Sequence, residues 1–144
     1  MSDLNINGTF NFELVSPERK LISGAAKLVV IPGEEGDFGV LPGHSALVAS
    51  IRPGVVEITM ADGSATQRIF IAGGFADVSP VNCTVLAEEA VNVNDLNQAD
   101  LEQTIRNLTE DLTMAKDDIE KSRVSRKLTL TRAKLQGVTG KAAA

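Results

Sequence analysis

Up to about residue 91, apolar residues alternate with polar ones or form short runs that Gly, Pro and Asp interrupt. This pattern predicts seven strands, at residues 10–14, 27–31, 46–51, 55–60, 65–71, 75–78 and 83–87. Asp62-Gly63 predicts a hairpin, because glycine readily supplies the positive φ of a tight turn. Gly73-Gly74 predicts a bulge or a sharp bend where the chain crosses between sheets. Strands so spaced, with no helix between them, predict an antiparallel β-sandwich or flattened barrel over residues 1–90.

Beyond residue 94 the apolar positions recur with a helical period. Asp95 and Gln98 have the spacing of a capping box, in which each side chain satisfies a backbone amide at the start of a helix. The residues that follow form one apolar stripe with helical spacing: Leu101, Ile105, Leu108 and Leu112. The stripe predicts a helix that packs against a partner.

A second helix is predicted to begin at Asp117, which forms another capping pair with Glu120. Its apolar positions are Val124, Leu128 and Leu135. Gly137 is the predicted stop signal, which gives a helical hairpin over residues 95–137 and a flexible tail at 138–144. No Gly or Pro interrupts the region before that stop, so a single extended arm of about 60 Å, at about 1.5 Å per residue, fits the pattern as well.

The composition limits the classes of partner. The 144-residue protein has a formal charge of −5, no Trp or Tyr and only five Phe, which argues against nucleic-acid binding by stacking or by phosphate contacts. Its one cysteine, Cys83, cannot form an internal disulfide, and the first residues lack the pattern of a signal peptide. No apolar run approaches the roughly 20 residues that a membrane-spanning helix needs. We therefore expect a cytoplasmic compartment, with membrane contact only through partners.

Residues 32–44, PGEEGDFGVLPGH, concentrate the candidate chemistry and are predicted to form a loop. They contain three carboxylates and the only histidine, His44, so a metal site, a catalytic site and a protein-binding loop are all considered. Zinc usually requires several His or Cys ligands, but the protein has one of each, 39 positions apart. Cys83 lies in an apolar run, where a buried and inert thiol is expected. A small hydrolase using His44 is the least favoured alternative.

The glycines of this segment do not have the spacing of a P-loop or of a dinucleotide fingerprint, and its carboxylates would repel a phosphate. Two alternatives stay open. The carboxylates are turn residues exposed for solubility, or the segment is an interaction loop that carries the apolar residues Phe38, Val40 and Leu41.

A second charged region, residues 121–134, is basic and contains no acid. A solvated helix face, a surface for an acidic protein groove and a nucleotide site all fit this run.

Several motifs closely resemble the epsilon subunit of bacterial F-type ATP synthase, the counterpart of the mitochondrial delta subunit. They are FELVSPER at 12–19, IPG at 31–33 with PGH at 42–44, IRPG at 51–54 and IAGGF at 71–75. The similarity extends over nearly the whole sequence and is densest in the first 90 residues. The resemblance implies a β-sandwich followed by two helices, in a noncatalytic rotor subunit without a cofactor or metal, whose partners are gamma and the c ring.

In this family the loop that matches residues 33–44 faces gamma and the c ring. The resemblance therefore implies one contact surface, made of Glu34, Glu35, Asp37, Phe38, Leu41, His44 and Val48. The family's helices fold against the sandwich or extend toward the alpha and beta subunits, where they inhibit ATP hydrolysis. That implies a regulatory role for eight residues: Leu101, Ile105, Leu108, Leu112, Arg123, Arg126, Leu128 and Leu135.

Some bacterial members bind ATP through a motif of Ile or Leu, Asp, two variable residues, Arg and Ala. The aligned stretch here is 96–101, where Asn97, Asp100 and Leu101 replace the family's Asp, Arg and Ala. An acid in place of a phosphate-facing base should weaken nucleotide binding, so an ATP-responsive inhibitory regulator is the alternative function and not the first. The resemblance implies a peripheral location on the cytoplasmic face of the bacterial inner membrane.

Overall fold

The computed structural model describes residues 8–140 of the protein, which divide into two compact units between Asn92 and Val93. The first unit is a β-sandwich, as predicted. Its nine strands are β1 (Phe10–Val15), β2 (Lys20–Gly33), β3 (Gly36–Val40), β4 (Leu47–Ile51), β5 (Gly54–Met60), β6 (Gln67–Ile71), β7 (Gly74–Val78), β8 (Asn82–Ala87) and β9 (Ala90–Asn92).

The long strand β2 belongs to both layers of the sandwich. Its first half pairs with β1, and its second half pairs with β3 on one side and β5 on the other. One layer therefore has the order β2-β1-β8-β7-β4 and the other has the order β3-β2-β5-β6-β9. Gly33, at the end of β2, also pairs with Ile51 of β4 and so joins the layers. The pairs are antiparallel as predicted, except that β1 and β8 run parallel.

The core lies between the two layers, and buried side chains alternate with outward ones along β1, β5 and β8. In β1 the side chains of Phe12 and Leu14 are fully buried, whereas Glu13 between them points outward and bonds to Lys20. Phe12 lies opposite Cys83 of β8, which is also fully buried. Burial of each such side chain stabilises the fold by about 1.5–3 kcal/mol.

All seven predicted strands are present, but the prediction missed β3, β9 and the first half of β2. Residues 36–40 were predicted to be a loop because two glycines and an aspartate weaken the strand pattern. They form a strand because β2 supplies a continuous partner, with Phe38 opposite Ile31. Pairing with a distant segment overrides local propensity there.

The two glycine signals of the sandwich are confirmed. Asp62 and Gly63 lie in the turn between β5 and β6, where Gly63 has a φ of 82°. Gly73 and Gly74 both have positive φ and lie where the backbone leaves β6 in one layer and enters β7 in the other. A Cβ atom on Gly74 would lie 1.9 Å from the backbone oxygen of Leu86, so only glycine fits this crossing.

The second unit begins with a 3₁₀ helix, Val93–Asp95, and continues with α1 (Gln98–Met114) and α2 (Asp118–Thr139), which pack against each other. The hairpin prediction is confirmed for this unit, and the segment between residues 98 and 139 is not one continuous helix. Asp117 caps α2, since its carboxylate accepts a hydrogen bond from the Glu120 amide at 2.7 Å.

The other two helix signals were wrong. The residue that caps α1 is Asn97, whose side-chain oxygen accepts from the Asp100 amide at 3.0 Å, whereas Asp95 belongs to the 3₁₀ helix. Gly137 is buried inside α2 and does not end it. The helix ends after Thr139, with Gly140 in the left-handed conformation. Part of the predicted tail is therefore helical, and its residues 141–144 lie outside the described residues.

Candidate functional site

The segment 32–44 forms the second half of a β-hairpin and the turn that follows it. Strands β2 and β3 meet at a tight turn with Glu34 and Glu35 at its tip. Gly33 allows this approach, because a Cβ atom there would lie 2.7 Å from the backbone oxygen of Gly36. Gly36 has a φ of 132°, which other residues rarely adopt. The sequence therefore builds a defined hairpin tip, and the prediction of a loop over residues 32–44 was wrong for the part that forms β3.

The three carboxylates of the segment differ in their surroundings. Glu34, Glu35 and Asp37 are all exposed, as the predicted contact surface requires. Asp37 is paired, because its carboxylate accepts a hydrogen bond from Nη2 of Arg52 at 2.5 Å. A cleft of about 520 Å³ lies between the hairpin and β4, and its lining includes all three carboxylates, Phe38 and Val48. The structure thus brings five of the predicted site residues together.

The apolar members of the predicted surface fall into two groups. Leu41 and Val48 are freely accessible, with 56% and 71% of their surface exposed. Phe38 is half-buried and packs against the core of the sandwich, and the centre of its ring lies 6.5 Å from that of His44. Leu41 and Val48 are therefore better placed to contact a partner than Phe38 is.

The two side chains considered for catalysis, His44 and Cys83, differ in burial: His44 is half-buried and Cys83 is fully buried. Nδ1 of His44 lies 2.7 Å from the backbone oxygen of Ser45, which orients the ring. Cys83 is buried, as predicted, and burial together with the nearby Asp77 raises the pKa of its thiol to about 12. The thiol is therefore neutral at physiological pH and inert as a nucleophile. Residues 8–140 contain no group of three His, Cys, Asp or Glu side chains arranged to hold a metal ion.

The structure also exposes an apolar row that the sequence analysis missed. Phe75 of β7 lies opposite Leu86 of β8, and Leu86 lies opposite Val15 of β1, all on the outer face of one layer. Phe75 is 55% exposed and Leu86 is 51% exposed. The sequence could have revealed this row. Along β7 and β8, alternate residues such as Ala76 and Val85 form the core, and Phe75 and Leu86 occupy the alternate positions, where polar side chains are expected.

The predicted regulatory residues occupy both faces of the helical hairpin. The stripe residues of α1 are half-buried: Leu101, Ile105, Leu108 and Leu112. In α2, Leu128 is buried and Leu135 is half-buried, whereas Arg123 and Arg126 are exposed. The apolar positions thus hold the two helices together, and the two arginines remain accessible.

Two family models match the protein in the order of its two units. The model described as "ATP synthase, Delta/Epsilon chain, beta-sandwich domain" matches residues 9–93, and the model of the C-terminal domain of the ATP synthase epsilon subunit matches residues 97–144. The protein belongs to the ATP synthase delta/epsilon family. The epsilon subunit of Rhodospirillum centenum is 46% identical over 86% of this sequence and 88% of that relative. The epsilon subunit of Maricaulis maris is 47% identical over 80% of this sequence and 85% of that relative.

Solved structures agree with this assignment at the level of the fold. A subunit of the Euglena gracilis mitochondrial ATP synthase superposes with a TM-score of 0.78 at 22% identity, over 91% of this protein and 82% of that subunit. A subunit of the central stalk and c-ring structure from Tetrahymena thermophila gives a TM-score of 0.63 at 10% identity, over 90% of this protein and 96% of that subunit. The family resemblance found in the sequence is confirmed.

Family membership settles the role of the protein at a coarse level. It is an epsilon-type, noncatalytic stalk subunit of F-type ATP synthase, a membrane-associated complex. Neither helix in the described residues is both long enough and apolar enough to span a bilayer.

Proposed function

We propose that the β-sandwich contacts the gamma subunit and the c ring in the central stalk, and that the helices regulate ATP hydrolysis. The observation that carries the proposal is the pair of accessible surfaces on the sandwich. One is acidic, at the tip of the β2–β3 hairpin. The other is apolar and consists of Val48, Phe75 and Leu86 on neighbouring strands, and Leu41 is a further exposed apolar side chain just after β3. Exposed apolar clusters on a small domain usually mark a protein interface.

The two surfaces suit different partners. The apolar residues favour gamma, because their burial against another protein supplies most of the binding free energy at an interface core. Glu34 and Glu35 favour the polar loops of the ring, because exposed charges contribute orientation and association rate more than affinity. We also propose that the protein lies on the cytoplasmic face of the bacterial inner membrane and contacts the membrane only through its partners.

Assembly with the synthase tests the apolar contact. Leu41→Asp and Val48→Asp should each weaken binding about tenfold or more, because a charge desolvated at an interface is costly. Ala65→Asp, in the exposed turn between β5 and β6, is the matched control and should bind normally. Normal binding of both site variants would overturn the contact assignment. Phe38→Asp is a poorer test, since Phe38 packs against the core.

Hydrolysis of ATP tests the regulatory role. The synthase is reconstituted with the full-length protein or with a version that ends at Asn94, just after the sandwich. If the helices act as a brake, the shortened protein should bind equally well and give faster hydrolysis. Equal rates with both versions bound would remove the regulatory proposal and leave the contact proposal untouched.

The alternative function, an ATP-responsive regulator, is disfavoured by the start of α1. Asn97 uses its side-chain oxygen to cap the helix, and Asp100 adds an exposed negative charge in the first turn. Neither arrangement favours a phosphate. We expect no binding of ATP by calorimetry at micromolar concentrations, and a micromolar Kd would revive this alternative.

A further inference from the structure

Arg52, in the short link between β4 and β5, makes three hydrogen bonds to the β2–β3 hairpin. Its backbone amide donates to the Pro32 oxygen at 3.0 Å. Its guanidinium donates through Nη1 to the Gly33 oxygen at 2.6 Å and through Nη2 to the Asp37 carboxylate at 2.5 Å. Since Gly33 and Asp37 lie on opposite arms of the hairpin, one side chain ties both arms together just below the tip.

Other contacts fix the same base of the hairpin. The Glu34 amide donates to the Ser50 oxygen of β4 at 3.0 Å. Gly54 keeps the start of β5 close, because a Cβ atom there would lie 3.0 Å from Cβ of Pro32. The hairpin is thus docked onto the end of β4, and Arg52 is the side chain that holds it there. A guanidinium can donate two hydrogen bonds in a fixed planar geometry, whereas a lysine ammonium is a point charge.

We propose that Arg52 is a positioning residue that sets how Glu34 and Glu35 are presented to the partner, and that Asp37 is its anchor and not itself a partner contact. The inference rests on the proposed contact function and revises it at one residue. Because the charge of Asp37 is offset by Arg52, the net negative charge offered at the tip comes from Glu34 and Glu35. The partner surface that fits is one with cationic groups or amide donors.

The clamp should act on the hairpin and not on the whole fold. The side chains of Arg52 and Asp37 are both partly exposed, and exposed ion pairs contribute little to global stability. What the clamp supplies is preorganisation, since a loosened tip must be ordered again on binding. Its loss should therefore weaken partner binding by about fivefold to tenfold.

The test compares Arg52→Met, Asp37→Ala and the double variant in the full-length protein. Two quantities are measured: the exchange of the amide hydrogens at residues 34–36, and the affinity for synthase depleted of this subunit. The clamp predicts faster exchange and weaker binding in both single variants, with the larger effect in Arg52→Met because it also removes the bond to the Gly33 oxygen. The double variant should lose no more than Arg52→Met alone, because Asp37 acts only through Arg52. Arg52→Lys should restore binding only in part.

The matched control is Arg68→Met, which removes an arginine from another exposed ion pair of the sandwich, with Glu57. It should leave exchange at residues 34–36 and binding unchanged. Losses of affinity that add up in the double variant would show that Asp37 contacts the partner directly and would overturn the inference. Unchanged exchange in Arg52→Met would overturn it as well.

A further pair of variants separates this inference from the proposed function. Glu34→Gln and Glu35→Gln remove the charges at the tip but leave the clamp in place. If the proposed contact is correct, the combined variant should bind more weakly and with less dependence on salt. Normal binding by that variant, with fast exchange in Arg52→Met, would refute the contact at the tip while the clamp remains.

Discussion

The β-sandwich and the helical unit bury their apolar side chains to different extents. The sandwich has many fully buried residues, among them Phe12 and Leu14. In α1, all of which is described, no residue is buried, and α2 buries Val124, Leu128 and Gly137. Each apolar side chain removed from water contributes to stability, so the helical unit has much less free energy opposing its opening.

This difference matches the two proposed roles. A contact surface has to keep its shape, and the sandwich holds its surface on a closed core. A regulatory arm has to change its conformation, and a helical pair with half-buried stripes can do so at modest cost. The comparison predicts that equivalent changes should have larger effects in the sandwich than in the helices.

The largest effect is expected in the sandwich core. Phe12→Ala should lower the free energy of unfolding of the sandwich by about 3–5 kcal/mol, because it leaves a cavity between the layers. Urea denaturation followed by circular dichroism measures the loss. Phe12→Leu is the conservative control and should cost much less. A loss below about 1 kcal/mol would mean that the core repacks freely, which would weaken the contrast between the two units.

A smaller effect is expected in the helices. Leu128→Ala should lower the local stability of the helical hairpin by about 2 kcal/mol, which is near the lower limit for replacing a buried leucine by alanine. The loss should be small because the neighbouring apolar stripe of α1 is only half-buried. Amide hydrogen exchange in α1 and α2 measures it, and the exposed residue Ser125 supplies the control Ser125→Ala. A loss as large as that of Phe12→Ala would contradict the idea of a weakly held unit.

These two residues also show what the sequence could predict. Phe12 and Leu128 belong to strong periodic patterns, of period two and of helical period, which predicted their strand and their helix, and both side chains are buried in the structure. Strand β3 could not be recognised in the same way, because its pattern is weak and its pairing with β2 comes from the fold. Local periodicity therefore predicts the sandwich and the hairpin, whereas the remaining strands depend on distant pairing.

The candidate site was less predictable than the fold. The link from Arg52 to Asp37 spans 15 positions and depends on how β4 ends beside the hairpin, which no local pattern encodes. The exposed row at Phe75 and Leu86 could have been predicted, since both residues occupy strand positions that alternate with the buried ones. The start of α1 was ambiguous, because Asn97 with Asp100 has the same spacing as Asp95 with Gln98.

Caps give the next effect in size. Asn97→Ala should destabilise the first turn of α1 by about 1 kcal/mol, because the Asp100 amide loses its acceptor. Asn97→Asp should leave it stable, since aspartate caps equally well and favours the positive end of the helix dipole. Exchange of the amides at residues 98–101 distinguishes the variants. If Asn97→Ala exchanges as slowly as the parent protein, the cap does not limit opening of α1.

The smallest effect concerns Asp62, whose carboxylate accepts hydrogen bonds from the Ser64 hydroxyl at 2.6 Å and the Ser64 amide at 2.9 Å. The hydrogen bond from the hydroxyl is the largest of the causes that lower the pKa of Asp62 below its ordinary value of 3.8. A lowered pKa in the folded state means that the stabilisation is present above the unfolded pKa and is lost as the pH falls through the folded one. Ser64→Ala should therefore raise the pKa of Asp62 toward 3.8, as measured by NMR titration of its carboxyl carbon.

In the same variant the acid-induced loss of stability attributable to this turn should shrink, since less of the pKa difference between the folded and unfolded states remains. Ser23→Ala, at an exposed position of β2, is the control and should leave the titration of Asp62 unchanged. The bond from Asp62 is of the same kind as the cap from Asp117 to the Glu120 amide, a carboxylate that accepts from a backbone N–H nearby. A titration of Asp62 that did not respond to Ser64→Ala would show that the backbone amide alone holds the carboxylate. The turn between β5 and β6 would then be held in the same way as the start of α2, by a carboxylate that accepts from a backbone N–H. In this respect the two units would differ less than their buried cores do.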